Sequence, residues 1–543
     1  MTVTVSRGRT SLVVRAPFEL RERVKRVPGY EWDRDSSTWR FPLDAGAYGA
    51  LRDEFPDLTG DAATEGWFRE TSEHIRTLER ILALGDVTDL LYELRDDLHA
   101  YQRVAVRYMV AAGCALLGDR MGLGKTVMAI ATIRELELRG EVDGGLYLIV
   151  CPNSKLHDWR DEIVRWHPAD AEVTIADGEP RSKEPGFYLV NWEKTWRRQW
   201  LTAWEWDVLV CDESHRMKGR DTRQSKAARK VRARHRFLLT GTPIKNFVVD
   251  LWPQLVLLQP ERWSSFWKFF DRYVDFREGF FGKEILGIRN ADELNARLRS
   301  VMIARSIDDV ELQLPDVRQQ TIRVRLEGRQ RDAYEEMRDQ FVAWINDQET
   351  VTAANWLTQA LRLKQIAGAM TVFDPTDRQS AKLDALEELL ADAPDEKFVV
   401  MSQFRTMVDA CTARLRDLKI PFAEMTGRAC RAWVPPAGYR DASDRGELMR
   451  WFQTSNAPRV FVATTQTGGE GITLTAARYF VFLDLLWTPG DNEQAWSRIH
   501  RIGQHRACVV YSVLAKDTID FSAILPTLRR KEDVVEAIMR PRS

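Results

Sequence analysis

Short apolar runs separated by segments of helical length dominate the chain after residue 100. Seven such runs occur, at 146–152, 187–192, 207–213, 236–243, 397–404, 459–465 and 478–485. Apolar strands separated by helical lengths are typical of parallel sheets covered on both faces. Because a long helical stretch divides the first four runs from the last three, the pattern predicts an α/β fold with two parallel-sheet lobes.

The remaining segments have different patterns. In the first sixty residues, apolar and polar positions alternate in TVTV and SLVVRA, as in strands, and a stretch with helical periodicity follows. This pattern predicts a small α+β module. Charge changes from net basic over 1–40 to net acidic over 41–100. We therefore predict a module at 1–60, an acidic helical connector at 61–97, a first lobe at 98–260, a helical insertion and linker at 261–375, and a second lobe at 376–543.

Composition narrows the class of protein. A chain of 543 residues is longer than one hydrophobic core usually organises, so several domains are expected. The formal charge is −1, so any affinity for nucleic acid must come from a local patch of positive charge. The scattered cysteines do not predict a disulfide framework or a zinc site. No apolar run is long enough to span a bilayer, and the N-terminus lacks a signal-peptide core. We expect no membrane contact, and a cytoplasmic protein, or a nuclear one if the source is eukaryotic.

The strongest local signal is a glycine-containing loop before an apolar helix. Its sequence is Asp119-Arg120-Met121-Gly122-Leu123-Gly124-Lys125-Thr126. Glycines let backbone N–H groups surround a phosphate chain, a lysine can reach the β and γ phosphates, and a threonine hydroxyl can bind Mg²⁺. Asp119 stands where the full GxxxxGK[ST] pattern has glycine. Alone, the run is equally consistent with a glycine turn that starts a helix.

An acid pair follows the strand at 207–211. At the C-terminal end of a parallel strand, Asp212 can hold Mg²⁺ and Glu213 can polarise the attacking water. A solvated acidic turn is the alternative, and the phosphate loop upstream favours the catalytic interpretation. Further on, Thr242 follows Thr240 and Gly241 after a fourth strand. Its hydroxyl can connect the γ-phosphate state to a bound polymer, and His215 can contribute to this coupling.

The most basic stretch of the chain, 216–236, lies between these elements. It includes Lys218 and Arg220, and release of counterions would favour its contact with phosphates. A solvated helix face is the alternative. Nothing in the stretch predicts base reading.

The second lobe carries two arginines three residues apart. We predict that Arg498 and Arg501 lie on one helical face and reach a phosphate presented across an inter-lobe cleft, as arginine fingers. An RxxR helix is otherwise an ordinary surface face. Upstream, Thr464, Thr465 and Gly469 belong to a glycine-rich run after a strand that can contact nucleotide and polymer, or can be a plain strand-to-helix loop.

Taken in order, these motifs resemble the Swi/Snf-type family of superfamily 2 helicase-like ATPases. The resemblance runs from about Leu98 to Ala537 and is carried by DRMGLGKT, DESHRMKG, LLTGTP, TTQTGGEGITLT and QAWSRIHRIGQ. It implies two RecA-like lobes, ATP and Mg²⁺ as cofactors, and double-stranded DNA as partner. The residues implied to bind ATP are Gln102 (at adenine), Asp119, Met121, Gly122, Leu123, Gly124, Lys125, Thr126, Gly469 and Gln494.

The chain departs from the family pattern at a few positions. Arg120 replaces the acidic residue usual in the family, Ser214 replaces the usual alanine, and Ala304 stands where the first of two arginines is common. None of these removes a catalytic group. The segment 26–43 resembles in turn the HARP module of annealing helicases, which implies forked DNA as a target. Its Trp32, Trp39 and Phe41 are predicted to form a small core rather than to stack on bases.

The leading hypothesis is therefore a DNA-dependent ATPase that translocates on double-stranded DNA, with remodelling or annealing of forked DNA as its extension. We expect it to act as a monomer. A strand-separating DNA or RNA helicase is the first alternative, and a non-catalytic DNA clamp is the second. Intact Lys125, Glu213 and Arg501 argue against the clamp.

Overall fold

The computed structural model describes most of the chain. The described residues are 2–142, 145–168, 171–279, 282–306, 308–310, 314–347, 353–374, 376–442, 444–468, 472–501 and 503–539. The predicted nucleotide contact Gly469 lies outside these residues. Within the described ranges, no helix is both long and apolar enough to cross a membrane.

The strands and helices alternate along most of the chain. The strands are β1 (Thr4–Arg7), β2 (Ser11–Arg15), β3 (Glu31–Asp33), β4 (Thr38–Pro42), β5 (Thr59–Gly60), β6 (Cys114–Leu117), β7 (Leu146–Cys151), β8 (Val173–Ile175), β9 (Gly186–Asn191), β10 (Glu205–Asp212), β11 (Arg232–Leu239), β12 (Val274–Gly279), β13 (Gly282–Ile288), β14 (Met302–Ile303), β15 (Val317–Val324), β16 (Phe398–Ser402), β17 (Phe422–Met425), β18 (Cys430–Val434), β19 (Gly438–Asp441), β20 (Val460–Thr464), β21 (Tyr479–Phe482) and β22 (Cys508–Ala515). The α-helices are α1 (Arg21–Val24), α2 (Ala45–Glu54), α3 (Ala62–Leu82), α4 (Ala100–Ala112), α5 (Lys125–Leu138), α6 (Leu156–Trp166), α7 (Trp200–Ala203), α8 (Arg223–Ala228), α9 (Trp252–Leu258), α10 (Phe266–Tyr273), α11 (Ala291–Leu298), α12 (Gly328–Asp347), α13 (Ala353–Gly368), α14 (Ala381–Asp392), α15 (Arg405–Asp417), α16 (Arg445–Thr454), α17 (Thr465–Gly468), α18 (Pro489–Trp496) and α19 (Leu525–Met539).

The chain divides into two compact units. The first unit consists of Met1–Arg277, Ile285–Val310 and Val534–Ser543, and the second of Glu278–Glu284 and Glu311–Asp533. The first unit therefore holds the N-terminal module together with the first parallel sheet. The segment predicted as a helical insertion is divided between the units.

The first unit is built on a parallel sheet with strand order β14-β6-β11-β10-β7-β9-β8. Side chains alternate between its two faces, as they must in a strand. Leu209 and Cys211 of β10 pack into the core on one face, whereas Val208 and Val210 pack into the core on the other. Burial on both faces explains why these strands are continuous apolar runs, and it confirms the α/β fold predicted for the first lobe.

The N-terminal module has a sheet of its own in the order β3-β4-β2-β1-β5. Trp39 and Phe41 of β4 are buried in its core, as predicted. The prediction that Trp32 is a core residue is wrong, because Trp32 lies on the edge strand β3 and is 45% exposed. Its ring packs against Trp39 with a centroid distance of 4.8 Å.

The second unit contains a mainly parallel sheet in the order β15-β22-β21-β16-β20-β17-β18-β19. Strands β18 and β19 add to one edge as an antiparallel extension. Val399 and Met401 of β16 face one core, and Phe398 and Val400 face the other. The second α/β lobe is thereby confirmed, and its predicted strands correspond to β16, β20 and β21.

Candidate functional site

Three motif-bearing loops meet at one edge of the first sheet. Strand β11 pairs in parallel with β6 on one side and with β10 on the other. The segments that leave the carboxyl ends of these strands are therefore neighbours, and such an edge is where ligand sites form in α/β sheets. They are the glycine-containing loop after β6, the acid pair at the end of β10 and the Thr240–Thr242 segment after β11.

The loop after β6 depends on its glycines. Gly122 has φ +88° and Gly124 has φ +77°, in the left-handed region that side chains other than glycine rarely adopt. A Cβ on Gly124 would also lie 2.4 Å from Nε2 of Gln102. Lys125 begins α5, and its ammonium group donates to the carbonyls of Asp119 at 2.6 Å and Arg120 at 3.0 Å. The lysine therefore lies over the loop.

Two side chains of α4 form hydrogen bonds to this loop. The Tyr101 hydroxyl donates to the Leu123 carbonyl at 3.1 Å, and Gln102 Nε2 donates to the same oxygen at 3.2 Å. Burial, and secondarily the charge of Asp119, raise the pKa of Tyr101 to about 12, so its hydroxyl stays a donor. The amide oxygen of Gln102 accepts from His99 N at 2.9 Å. Both the oxygen and the nitrogen of the Gln102 side-chain amide therefore form hydrogen bonds within the protein. Recognition of adenine by Gln102 stays a prediction.

The Asp119 side chain is engaged by the protein itself. Its fully buried carboxylate pairs with Arg305, with Nε to Oδ1 at 3.1 Å and Nη2 to Oδ2 at 2.5 Å. Arg305 Nη1 also donates to the Tyr101 carbonyl at 2.7 Å. The sequence predicts that Asp119 contacts the nucleotide. In the structure, its backbone carbonyl accepts a hydrogen bond from the Lys125 ammonium group. Sequence reasoning noted position 304 only as a departure and missed the role of Arg305.

Two tryptophans hold Asp212, the first residue of the acid pair. Trp159 Nε1 donates to Asp212 Oδ2 at 2.9 Å, and Trp192 Nε1 donates to the Asp212 backbone carbonyl at 2.8 Å. Burial, together with the adjacent Glu213 charge, raises the pKa of Asp212 above its ordinary value. The hydrogen bond from Trp159 and the charges of nearby lysines, including Lys125, partly oppose this shift. Both tryptophans were missed from the sequence, because nothing in the local pattern links them to Asp212.

Glu213 has an unusual backbone. Its φ of +50° and ψ of 48° place a non-glycine residue in the left-handed region, a kind of strain that is retained where a side chain must be aimed. Glu213 Oε2 lies 3.3 Å from His215 Nδ1, which lies 3.0 Å from Thr240 Oγ1. Thr240 Oγ1 in turn accepts from the backbone N–H of Thr242 at 3.1 Å. A continuous polar chain thus joins the acid pair to the predicted coupling threonine.

The oxygen donors at this edge suit Mg²⁺. Thr126 lies in the first turn of α5, and Asp212 supplies a carboxylate. Magnesium is usually held by one or two such protein oxygens, together with water and substrate phosphates, rather than by a full protein cage. Across the described ranges, no group of three or more His, Cys, Asp or Glu residues could enclose a metal ion. The residues present therefore fit Mg²⁺ bound with a phosphate substrate.

The basic stretch 216–236 separates into two groups. Arg229 and Arg236 serve the fold, since their guanidiniums donate to the carbonyls of Arg220 at 2.6 Å and Leu257 at 3.1 Å. Lys218 is exposed. Arg220 pairs with Asp221 at 2.8 Å and lies over the Phe266 and Trp267 rings at 5.0 and 5.5 Å. Lys218 and Arg220 stay the predicted phosphate contacts of this stretch.

In the second unit, the two predicted arginine fingers do not share a helical face. That prediction is wrong because α18 ends at Trp496 and both arginines follow it in turns. The Arg498 carbonyl accepts from Leu474 N at 2.9 Å, outside any helical pattern. Arg498 is 3% exposed, whereas Arg501 is partly exposed and its Nε donates to the Ser497 carbonyl at 3.1 Å.

Other predicted residues of the second unit lie at strand and helix ends. Thr464 ends β20, with its hydroxyl 2.9 Å from that of Thr467, and Thr465 is buried at the start of α17. Gln494 is partly buried within α18. Gln504, whose structural use was not predicted, donates through one nitrogen to the carbonyls of Thr475, Ala477 and Ile499. It fixes the turn that follows the two arginines.

Two mainly parallel α/β sheets, the first with a glycine-containing loop before a helix, define a two-lobed protein of the helicase-like class. Residues 101–371 match the SNF2-related domain, and residues 381–503 match the helicase conserved C-terminal domain. The chain belongs to this SNF2-related family. Because the matched ranges begin at residue 101, the HARP resemblance of the N-terminal module stays a prediction.

Several known proteins are similar to this chain. The mouse protein named DNA annealing helicase and endonuclease ZRANB3 is 29% identical over 471 residues, which cover 83% of this chain and 41% of the relative. The human SWI/SNF-related matrix-associated actin-dependent regulator of chromatin subfamily A member 1 is 27% identical over 75% of this chain and 40% of the relative. The chain thus spans about two fifths of their length. A solved Sulfolobus solfataricus SWI2/SNF2 ATPase core in complex with dsDNA aligns at 23% identity over 83% of this chain and 96% of that chain, with a TM-score of 0.40.

Proposed function

We propose that this chain is a DNA-dependent ATPase that translocates along double-stranded DNA and acts on forked or branched DNA. One observation carries the proposal. The phosphate loop, the acid pair and the Thr240–Thr242 segment leave neighbouring strands at one sheet edge. His215 lies 3.3 Å from the Glu213 carboxylate, and hydrogen bonds through Thr240 connect His215 to Thr242. Such a connection lets a change at a phosphate alter a residue predicted to contact DNA. The similarity to a relative named a DNA annealing helicase supports DNA as the substrate, and the choice of forked DNA rests on the resemblance of the segment 26–43 to the HARP module.

The residues of the first unit divide the chemistry among them. When bound, ATP supplies the phosphoryl group and Mg²⁺ offsets its negative charge. Lys125 would bind the phosphates, Thr126 and Asp212 would hold the metal, and Glu213 would orient the attacking water and take its proton. The left-handed backbone of Glu213 fixes the direction of its carboxylate. Asp119 and Gln102 position the loop through the contacts described above.

The second unit supplies the remaining predicted groups. Arg501 is the partly exposed arginine of the pair, and we assign it the arginine-finger role of neutralising charge in the transition state. Arg498 is buried, so it shapes the turn as well. We assign DNA contacts to Lys218, Arg220, Thr242, Thr464 and Thr465. Contacts of this kind are to phosphates and give salt-dependent binding without base specificity.

Steady-state ATP hydrolysis tests the proposal. The full chain is assayed with no polymer, single-stranded DNA, duplex DNA, forked DNA and RNA at two salt concentrations, with Lys125→Ala as the blank. We expect duplex and forked DNA to stimulate hydrolysis and higher salt to weaken the effect. Arg501→Ala should abolish hydrolysis while nucleotide binding is retained. Displacement of a triplex-forming strand from duplex DNA then reports translocation.

Each alternative has its own outcome in this assay. Stimulation by RNA or single strands alone contradicts the duplex translocase and favours a strand-separating helicase. Nucleotide and DNA binding without turnover on any polymer favours a DNA clamp. Hydrolysis with duplex DNA but no triplex displacement refutes translocation and leaves the ATPase.

A further inference from the structure

A cleft in the first unit lies between the N-terminal module and the segment that follows α9. It has a volume of about 350 Å³, and its lining includes Arg7, Asp44, Trp67, His74, Arg262 and Ser300. The size is within the range of small-molecule sites in proteins. The cleft contains none of the residues assigned to nucleotide hydrolysis, so its charges need a separate explanation.

Arg262 is the partly buried cation of the cleft. Its Nη1 donates to Ser300 Oγ at 2.9 Å and to Gln259 Oε1 at 3.3 Å, while its Nε is shielded from solvent without a hydrogen-bond partner. In the described part of the chain, no carboxylate lies within ion-pair distance of this guanidinium. Burial lowers the pKa of Arg262 to about 10, so it remains charged at neutral pH. An arginine in such surroundings is costly unless an anion compensates it.

The nearby carboxylate of Asp44 is already engaged. Asp44 Oδ1 caps α2 by accepting from Ala47 N at 2.8 Å, and Oδ2 lies 3.2 Å from Nε of Arg297. Arg297 is itself 9% exposed and lies over the Trp263 ring at 4.0 Å. The one carboxylate near Arg262 is therefore already paired with Arg297, and Arg262 has no ion-pair partner of its own in the described part of the chain. The excess is one positive charge.

The mouth of the cleft adds a second cation. Arg7 is exposed, and its guanidinium lies over the Trp67 ring at 5.7 Å. Within the described ranges, no carboxylate lies within 4.0 Å of it. Burial lowers the pKa of His74, so this histidine is neutral at pH 7 and adds no charge. Glu261 supplies one exposed carboxylate to the rim.

We propose that this cleft binds a phosphate group, with the partly buried Arg262 and the exposed Arg7 as its cationic ligands. Guanidinium groups match the geometry of phosphate oxygens and form charge-assisted hydrogen bonds with them. The volume leaves room for a nucleoside-sized group attached to the phosphate. The phosphate is carried by a free nucleotide or by the end of a DNA strand. The site is independent of the proposed hydrolysis of ATP.

Calorimetric titration of the full chain with inorganic phosphate tests the site. All proteins carry Lys125→Ala, which removes the main phosphate ligand of the loop after β6. We expect Arg262→Gln and Arg7→Gln each to weaken phosphate binding by about tenfold or more, the loss of a charge-assisted hydrogen bond. Arg299→Gln is the matched control, because Arg299 is exposed near the cleft, pairs with Glu79 at 3.8 Å and does not line it. Its affinity should be unchanged.

Asp44→Asn gives a result that a purely structural role would not. Asparagine keeps the helix cap to Ala47 but removes the carboxylate that pairs with Arg297 and lies near Arg262. We expect phosphate to bind about threefold or more tightly, since the uncompensated positive charge increases. Arg262→Gln loses the contact to Ser300, so thermal unfolding confirms that each variant is folded. The exposed Arg7 provides the test if Arg262→Gln does not fold.

Two further titrations identify the source of the phosphate. Tighter binding of a 5′-phosphorylated duplex than of its 5′-hydroxyl form, lost in Arg7→Gln, identifies a strand end. Binding of dAMP but not of deoxyadenosine, with no difference between the duplexes, identifies a free nucleotide. Phosphate affinity unaffected by Arg262→Gln and Arg7→Gln, or weakened by Asp44→Asn, overturns the proposal.

Discussion

Arg305 and Asp119 form a two-point ion pair between residues 186 positions apart in the sequence. The carboxylate is fully buried, and the same guanidinium donates to the Tyr101 carbonyl. Tyr101 in turn donates to Leu123 within the phosphate loop. Arg305 therefore binds the first residue of the loop, Asp119, directly. Through Tyr101 it also supports Leu123, the residue before the second glycine of the loop.

This relationship predicts that Arg305 positions the phosphate loop without contacting substrate. Arg305→Lys keeps the charge but cannot reproduce the planar, two-point geometry. We expect kcat/KM for ATP to fall by about tenfold to a hundredfold, since a misplacement of about 1 Å in a catalytic group has effects of this size. Steady-state hydrolysis with saturating duplex DNA measures the change, and Arg299→Lys on the exposed surface is the control.

A double-mutant cycle separates positioning from general destabilisation. Asp119→Asn and Arg305→Lys disturb the same pair, so their combined effect on kcat/KM should be smaller than the product of the single effects. Full additivity would contradict the positioning role. Arg305→Ala strands a buried carboxylate and should cost about 3–5 kcal/mol of stability.

Features of the fold that depend on local pattern could be predicted from the sequence. The apolar runs became β7, β9, β10 and β11 because alternate residues of each are buried on opposite faces. Gly122 and Gly124 were identified as loop glycines, and their positive φ angles show why. Both inferences need only neighbouring residues, which is why one sequence suffices for them.

Features that depend on distant contacts could not be predicted. Trp159, Trp192 and Arg305 reach the site from segments whose own pattern indicates only helix, strand or loop. The helical spacing of Arg498 and Arg501 was misleading, because a contact from Leu474 to the Arg498 carbonyl accompanies the end of the helix. In each case the deciding partner lies at least twenty residues away.

The two tryptophans at Asp212 predict a difference in magnesium dependence. Trp159→Phe removes the hydrogen bond to the Asp212 carboxylate, whereas Trp192→Phe removes one to its backbone carbonyl. We expect Trp159→Phe to raise the Mg²⁺ concentration for half-maximal hydrolysis by about threefold to tenfold, because the carboxylate loses the partner that orients it. Trp192→Phe serves as the matched control. Equal shifts in both variants would mean that packing, rather than orientation of the carboxylate, matters.

The polar chain through Thr240 predicts loss of DNA stimulation without loss of nucleotide binding. Thr240→Val keeps the shape of the fully buried side chain but removes the oxygen between His215 and Thr242. Basal hydrolysis and nucleotide affinity should change less than threefold or so, and the stimulation by duplex DNA should fall by about tenfold, the effect of about one lost hydrogen bond. Thr132→Val, which removes a buried hydroxyl contact inside α5, is the control. Unchanged stimulation in Thr240→Val would refute the coupling.

A buried lysine in the second unit predicts a pH dependence of stability. Lys364 is fully buried, its ammonium group donates to the Leu485 carbonyl, and Asp484 Oδ1 lies 3.9 Å away. Burial lowers its pKa to about 8, an effect that the charge of Asp484 partly opposes. The unfolded chain then binds more protons than the folded one between about pH 8 and the ordinary lysine value of 10.5.

Stability relative to a variant without this charge should therefore rise as pH increases through that window. The full difference corresponds to about 3 kcal/mol, from about 1.4 kcal/mol for each pH unit. Urea unfolding of the wild type and Lys364→Met, measured between pH 7.5 and about 10, gives the difference in the free energy of unfolding at each pH. We expect it to change in favour of the wild type as pH rises, while the exposed Lys419→Met shows no such trend. A constant difference would mean that Lys364 keeps its ordinary pKa, and a change in favour of Lys364→Met would mean that Asp484 stabilises the charged lysine.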